Sequence, residues 1–179
     1  MNRFISLLVV LFFVSSFNRV IDSDRVVLFH QNPNGEEVIA PMNADFEIQL
    51  LKLINQKRQN RGLGVLQTDE GLMRASRYHA ADMANENYHE HATHNRTSSG
   101  LQVGISTFKR ISKFYEGFAN TENIAAGYNS PEEVLKGWMK SPGHKRNLFN
   151  KSATHMGVGY YHNANSKFKN YWVFESAAE

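Results

Sequence analysis

Apolar residues recur along this chain with two periods, helical in its first two-thirds and strand-like near its end. Over residues 44–61, Phe46, Leu50, Leu53 and Ile54 share one face at 3.6 residues per turn, which predicts an amphipathic helix. Ile48 and Leu51 lie off that face, so the helix is expected to be covered on more than one side. Gly62 and Gly64 end it, as glycine does at helix C-termini. A second helix is expected to begin at Asp69, a good N-cap, and to run to Asn87, with Leu72, Ala75, Ser76, His79, Ala80 and Met83 at spacings of three and four. His79 therefore points at the core. A polar, histidine-rich connection over residues 88–104 leads to a short helix over residues 106–115, and then to a loop carrying Glu122 and Asn123.

Ser130-Pro131-Glu132-Glu133 reads as a helix start: a serine cap, proline at the first helical position, and a glutamate that completes a capping box. Val134, Leu135, Trp138 and Met139 form its apolar stripe, and Ser141-Pro142-Gly143 stops it. Residues 154–162 and 168–176 alternate in the manner of strands around a polar turn of Asn163 to Ser166, which predicts an antiparallel hairpin. Both faces of that hairpin carry apolar or small residues, so the sheet is expected between helical layers. Helices early and strands late define an α+β chain. Ahead of it, Asn32-Pro33-Asn34-Gly35 is a turn signal flanked by Val26, Val27, Leu28, Phe29, Val38 and Ile39, and predicts a short leader hairpin.

Length and charge narrow the picture. The 179 residues suit one domain with a substantial core, and the net charge of +3 is small. With no cluster of Lys and Arg interleaved with aromatics, nucleic acid is not an expected partner. Cysteine is absent, which excludes disulfides, thiol nucleophiles and Cys-ligated zinc, so stability must come from packing. Arg3, a run over residues 4–14 that is apolar but for Ser6, and small residues at 15 and 16 predict a secretory signal peptide over residues 1–16, its apolar run too short to serve as a transmembrane anchor. Residues 17–43 are then a leader and residues 44–179 the domain of a secreted, extracellular or envelope-associated protein. Asn95-Arg96-Thr97 and Asn150-Lys151-Ser152 fit the glycosylation acceptor pattern, which matters only in a host that uses it.

The stretch TENIAAGYNSPEEVLKGWMKSPGHKRNL, residues 121–148, resembles the ENIA and SPGH blocks of the CAP superfamily, in its cysteine-free SCP-domain form. FEIQLLKLINQKRQNRGL at 46–63, HAADMA at 79–84 and THMGVGYY at 154–161 extend the resemblance over most of the domain. It implies a three-layer α-β-α sandwich with an antiparallel central sheet. It also implies a cleft lined by two histidines and two acids. Carried over by residue, these are His91, Glu122 and His144, with Asn123 beside them. Ser141 stands where the second acid is expected, so the tetrad is incomplete.

Two imidazoles and a carboxylate suit a divalent metal such as zinc, with His91, Glu122 and His144 as its ligands and Glu122 as the candidate general base. The same groups also satisfy one another by hydrogen bonds in a groove. The leading expectation is a non-enzymatic binding protein whose cleft holds a metal and whose apolar groove holds a lipid or sterol, or which engages an envelope or host surface component. A metal-dependent hydrolase is the alternative, as is an interaction or virulence factor that uses loop residues 90–104 around a vestigial cleft. No G-x-S-x-G is present, so serine hydrolase chemistry is disfavoured.

Several residues have plain structural readings. His79 is expected to be a core histidine with its ring nitrogens bonded, Asn123 to bond loop backbone, and Trp138 and Trp172 to pack in the core. His89 and His94 are expected to be solvated. Arg110, Lys145 and Arg146 are expected on a solvated basic face, with the alternative that they rim the groove and attract anionic lipid or wall polymer.

Overall fold

The computed structural model describes residues 29–178. The expected signal peptide, residues 1–16, and Val26, Val27 and Leu28 of the leader lie outside the described residues. In chain order the elements are α1 (Ala44–Gln59), β1 (Gln67–Thr68), α2 (Glu70–Glu86), β2 (His94–Thr97), β3 (Gly100–Val103), α3 (Thr107–Ile111), β4 (Phe118–Ala126), α4 (Pro131–Lys140), α5 (Pro142–Leu148), β5 (His155–His162) and β6 (Asn170–Ala178).

The caps at Asp69 and Ser130 fall where the sequence placed them, and Asn43 caps α1 as well. Asn43 Oδ1 accepts the Phe46 N–H, Asp69 Oδ1 accepts the Leu72 N–H, and Ser130 accepts the Glu133 N–H. Glu133 reaches back one residue beyond the serine, to the Asn129 N–H at 2.9 Å. Asn87 closes α2 in the left-handed region at φ 60°, a conformation that asparagine tolerates. The buried stripe of α1 is Glu47, Leu50, Ile54 and Arg58, spaced three and four apart, with an ionisable residue at each end. Ile48 is exposed, so covering on a second side stops at the partly buried Leu51.

β5, β6 and β4 form an antiparallel core, with register pairs that include Val158↔Phe174 and Ile124↔Val173. β1 adds to the far edge of β5 in parallel, so the sheet is mixed, in the order β1-β5-β6-β4. The parallel edge is two polar residues long and ends as Asp69 caps α2, which left no alternation to read in the sequence. Strand alternation then splits the core. Met156, Val158, Tyr160, Trp172 and Phe174 face Leu50, Ile54, Val134, Leu135 and Trp138 of α1 and α4. Tyr171, Val173 and Ile124 face Ala80, Met83 and Ala84 of α2. Each fully buried side chain of this size contributes about 2–3 kcal/mol.

α2 lies directly on β5 because Gly157 and Gly159 leave room for its backbone. A Cβ at those positions would come within 2.2 Å of the Leu72 carbonyl carbon and 2.4 Å of Ser76 and Arg77 backbone atoms. On the opposite edge of the sheet, β4 turns carbonyls away from β6. Asn147 Nδ2 donates to the Glu122 carbonyl at 2.9 Å, and Trp138 Nε1 donates to the Ile124 carbonyl at 3.2 Å. Side chains of α4 and α5 thus close an edge that would otherwise be open to pairing.

Four expectations are corrected. Glu122 and Asn123 lie in a strand, not a loop; FANTENIAA is too polar at its start to show a two-residue period. Ser141 ends α4 and at once caps α5, a helix the sequence pattern did not reveal because Pro142-Gly143 reads as a stop. Residues 94–103 form the β2–β3 hairpin within the expected connection. In the described part of the leader no strand forms. Side chains hold it instead: Arg74 donates to the Gly35 and Glu37 carbonyls, Tyr78 to that of Gln31, and Thr93 to Asn32 Oδ1.

Candidate functional site

Glu122 and Glu175 are register partners on β4 and β6, and alternation turns both toward the α2 layer. Two buried acids side by side demand a cation. Arg110 of α3 supplies it from a fully buried position: Nη2 donates to Glu122 Oε2 and to Glu175 Oε1 at 2.9 Å, and Nη1 donates to the His91 carbonyl at 2.8 Å. Arg110 was expected on a solvated face. It turns inward because, among the described residues, it is the guanidinium that reaches this acid pair. Lys145 is half-buried and Arg146 exposed on α5.

His91 approaches from the cleft side. Its Nδ1 donates to Glu122 Oε1 at 2.7 Å while half of the ring, 53 %, stays exposed. Both oxygens of Glu122 are therefore engaged. Burial opposes its charge, but Arg110 and His91 outweigh burial and hold the carboxyl below its ordinary range. Glu175 goes the other way: burial raises it against the pull of Arg110, and the Glu122 charge adds to the rise. The hydrogen bond to Glu122 raises His91 despite partial burial.

Asn123, one residue along the strand, faces the opposite side. Its Nδ2 donates to the His144 carbonyl at 3.0 Å and its Oδ1 accepts from Asn147 at 2.8 Å, so it fixes the α5 backbone that carries His144. Ser141 sits behind His144 as the α5 cap, with its Oγ 3.5 Å from the His144 N–H. It holds the helix start and leaves the second acid position unfilled.

The cleft, of about 440 Å³, is lined by His89, Glu90, His91, Ala92, Ile124 and His144. The structure thus brings His91 and His144 to one opening, with Glu122 behind His91. His89, expected to be solvated, is exposed but stands at the rim with its ring 5.9 Å edge-on from Phe168. Burial, and then the neighbouring His91, lower the pKa of both His89 and His144. His94 is half-buried with its ring 4.5 Å from that of Tyr88. His79 is fully buried as expected: its Nε2 contacts the Glu90 carbonyl at 2.9 Å, but its Nδ1 has no partner among the described residues. Burial, with Arg110 nearby, pushes its pKa down to about 3 and keeps it neutral.

A divalent metal at His91, Glu122 and His144 fits this arrangement poorly. Ligation by Glu122 would require giving up the hydrogen bond to His91 or the pairing with Arg110, and would place two cations on one buried carboxylate. Among the described residues no three His, Asp or Glu side chains are grouped so as to hold a metal. Sequence reasoning missed Arg110, Glu175 and the cleft position of His89. One signal was available for Glu175: it is the only acid in the apolar run YWVFESAA.

An α-β-α sandwich with a histidine-lined cleft at the edge of its sheet defines the class of this protein. The family description that matches residues 51–176 is the cysteine-rich secretory protein family, CAP. The chain belongs to that family, in a form without cysteine. It is 38 % identical over 116 residues to the protein YkwD of Bacillus subtilis and 31 % identical over 115 residues to the membrane protein YlbC of the same organism. Those matches take in 64 % and 63 % of this chain but only 42 % and 31 % of the relatives, so the chain spans less than half of their length.

Among solved structures, an extracellular SCP-domain protein of Bacillus anthracis is similar at 26 % identity and TM-score 0.60, over 79 % of this chain and 45 % of that one. An outer surface protein of Borrelia burgdorferi shares the fold, with 19 % identity and TM-score 0.65, over 79 % of this chain and 99 % of that one. No helix among the described residues is long and apolar enough to cross a membrane.

Proposed function

We propose that this protein is a secreted binding protein rather than a hydrolase, and that it holds the acyl chain of an anionic lipid in the groove between α1 and α4. The observation that carries this reading is the groove's make-up. It encloses about 360 Å³, with Leu53, Leu135 and Met139 as apolar lining and Lys57, Lys136 and Glu132 as its charged groups. An apolar lining with two ammonium groups suits a chain that ends in a carboxylate or phosphate, because the tail is desolvated while the head stays in water beside the lysines. A sterol offers the lysines no acid.

The cleft supports the non-hydrolytic side of this reading. Glu122, the candidate base of the hydrolase alternative, has both oxygens committed and is not free to take a proton from water. The signal sequence and the extracellular relative of Bacillus anthracis support an external location.

Delipidated protein titrated with a fluorescent fatty acid tests the proposal. Saturable binding is expected, weakened about tenfold by Met139→Glu and less by Lys136→Glu. The absence of saturable binding, or binding indifferent to Met139→Glu in a variant with unchanged circular dichroism, overturns it.

A further inference from the structure

We infer that the histidine cleft is a site for an anionic phosphate group, separate from the acyl groove, with His89, His91 and His144 as its donors. Family resemblance gives the cleft to a cation, but the carboxylate that would hold one is already engaged. The Glu122 carboxylate faces inward, with one oxygen on Arg110 and the other on His91 Nδ1, so its charge is balanced before the cleft begins. Ser141 supplies no second acid, since its hydroxyl serves the α5 backbone. What remains at the opening is imidazole: neither ring nitrogen of His89 or His144 is hydrogen-bonded within the described residues, and His91 is half exposed. With Nδ1 donating to Glu122, His91 offers a second N–H as the imidazolium, the form that its bond to Glu122 favours.

Two lysines lie next to residues of the opening, though neither lines it. Lys167 lies 5.0 Å over the ring of Phe168, the same ring that meets His89 edge-on, and Lys145 follows His144 on α5. Phosphate is the anion that best uses such a set, because its oxygens accept from several N–H groups at once and its charge is shared among them. The opposing group is Glu90, which lines the same cleft with an exposed side chain. Its presence makes the inference testable by sign: removing it favours an anion and disfavours a cation.

The experiment titrates full-length mature protein with inorganic phosphate and, separately, with a glycerol phosphodiester, following the histidine ring signals by nuclear magnetic resonance. Saturable shifts at His89, His91 and His144 are expected. Affinity should fall about tenfold in His144→Ala, by a similar factor in the exposed-loop variant His89→Gln, and rise a few-fold in Glu90→Gln. Binding of inorganic phosphate alone assigns the site to a free or terminal phosphate; binding of the diester as well assigns it to a polymer or lipid headgroup. The inference is overturned by the absence of saturable shifts with either probe, or by a Glu90→Gln variant that binds phosphate no better while losing affinity for zinc. Fatty-acid binding is read separately, so failure here leaves the acyl-groove proposal standing, and the reverse.

Discussion

Arg58 and Arg110 are both closed off from solvent, at 2 % and 0 % exposure, but they are held in opposite ways. Arg58 meets only backbone: its Nε donates to the Gly64 carbonyl and its Nη1 to the Leu148 and Asn150 carbonyls, each at 2.9 Å. It ties the end of α1 to the end of α5, where carbonyls lack helical partners and carry partial negative charge. Arg110 meets two carboxylates and one carbonyl. One arginine is a mechanical pin, indifferent to protonation around it. The other is the centre of a charge balance that sets the state of every group behind the cleft.

The difference separates the two sites by experiment. Arg110→Met leaves Glu122 and Glu175 buried without their cation and should reduce stability by about 3–5 kcal/mol in urea denaturation at neutral pH. Adding Glu122→Gln and Glu175→Gln should recover most of that loss, because the uncompensated charge is then gone. A loss below about 1 kcal/mol would mean that water reaches the carboxylates and that the balance described above does not exist. Arg58→Met follows with about 1–3 kcal/mol, from unsatisfied carbonyls alone, and no carboxyl-to-amide change should rescue it.

How much of this was legible in the sequence depends on whether a residue's partner is near it in the chain. The caps at Asp69 and Ser130, the spans of α1, α2 and α4 and the closing hairpin rest on local rules, and each is found within a few residues of its expected place. His91, Glu122 and His144 came from motif resemblance, and the fold brings His91 against Glu122 and His144 to the same opening. Arg110 was misread because its fate is decided by Glu175, 65 residues away, and by a strand register that no local pattern encodes. The work of Ser141 as a helix cap was hidden behind a proline that looked like a terminator.

A smaller effect sharpens the charge balance through pH. Burial raises the Glu175 pKa against the pull of Arg110, so its contribution to stability is fully present below the ordinary carboxyl value of 4.5 and is lost as pH rises through its folded value. Glu175→Gln keeps an oxygen for Arg110 but cannot ionise. The variant should match the parent in acid and exceed it by on the order of 1–2 kcal/mol at alkaline pH, as read by denaturation across a pH series. Asp82, raised by burial to about 7 despite its hydrogen bond from Tyr88, has the same sign and leaves a residual slope in both proteins.

The smallest effect belongs to His91, and its size decides from which side Glu122 is held. The hydrogen bond to Glu122 raises the His91 pKa, so its stabilisation is present below the ordinary histidine value of 6.5 and lost as pH rises through the folded value. Half of the ring is in solvent, which screens the pair, so His91→Asn should cost under about 1 kcal/mol at about pH 5.5 and less at about pH 8.5. Arg110 remains on Glu122 throughout, and the carboxyl should still titrate below its ordinary range in that variant. If His91→Asn instead destabilised the protein as much as Arg110→Met, Glu122 would be held from the cleft and not from the core. A ligand entering between the histidines would then disturb the fold itself, and the separation between pin, charge balance and open cleft would fail.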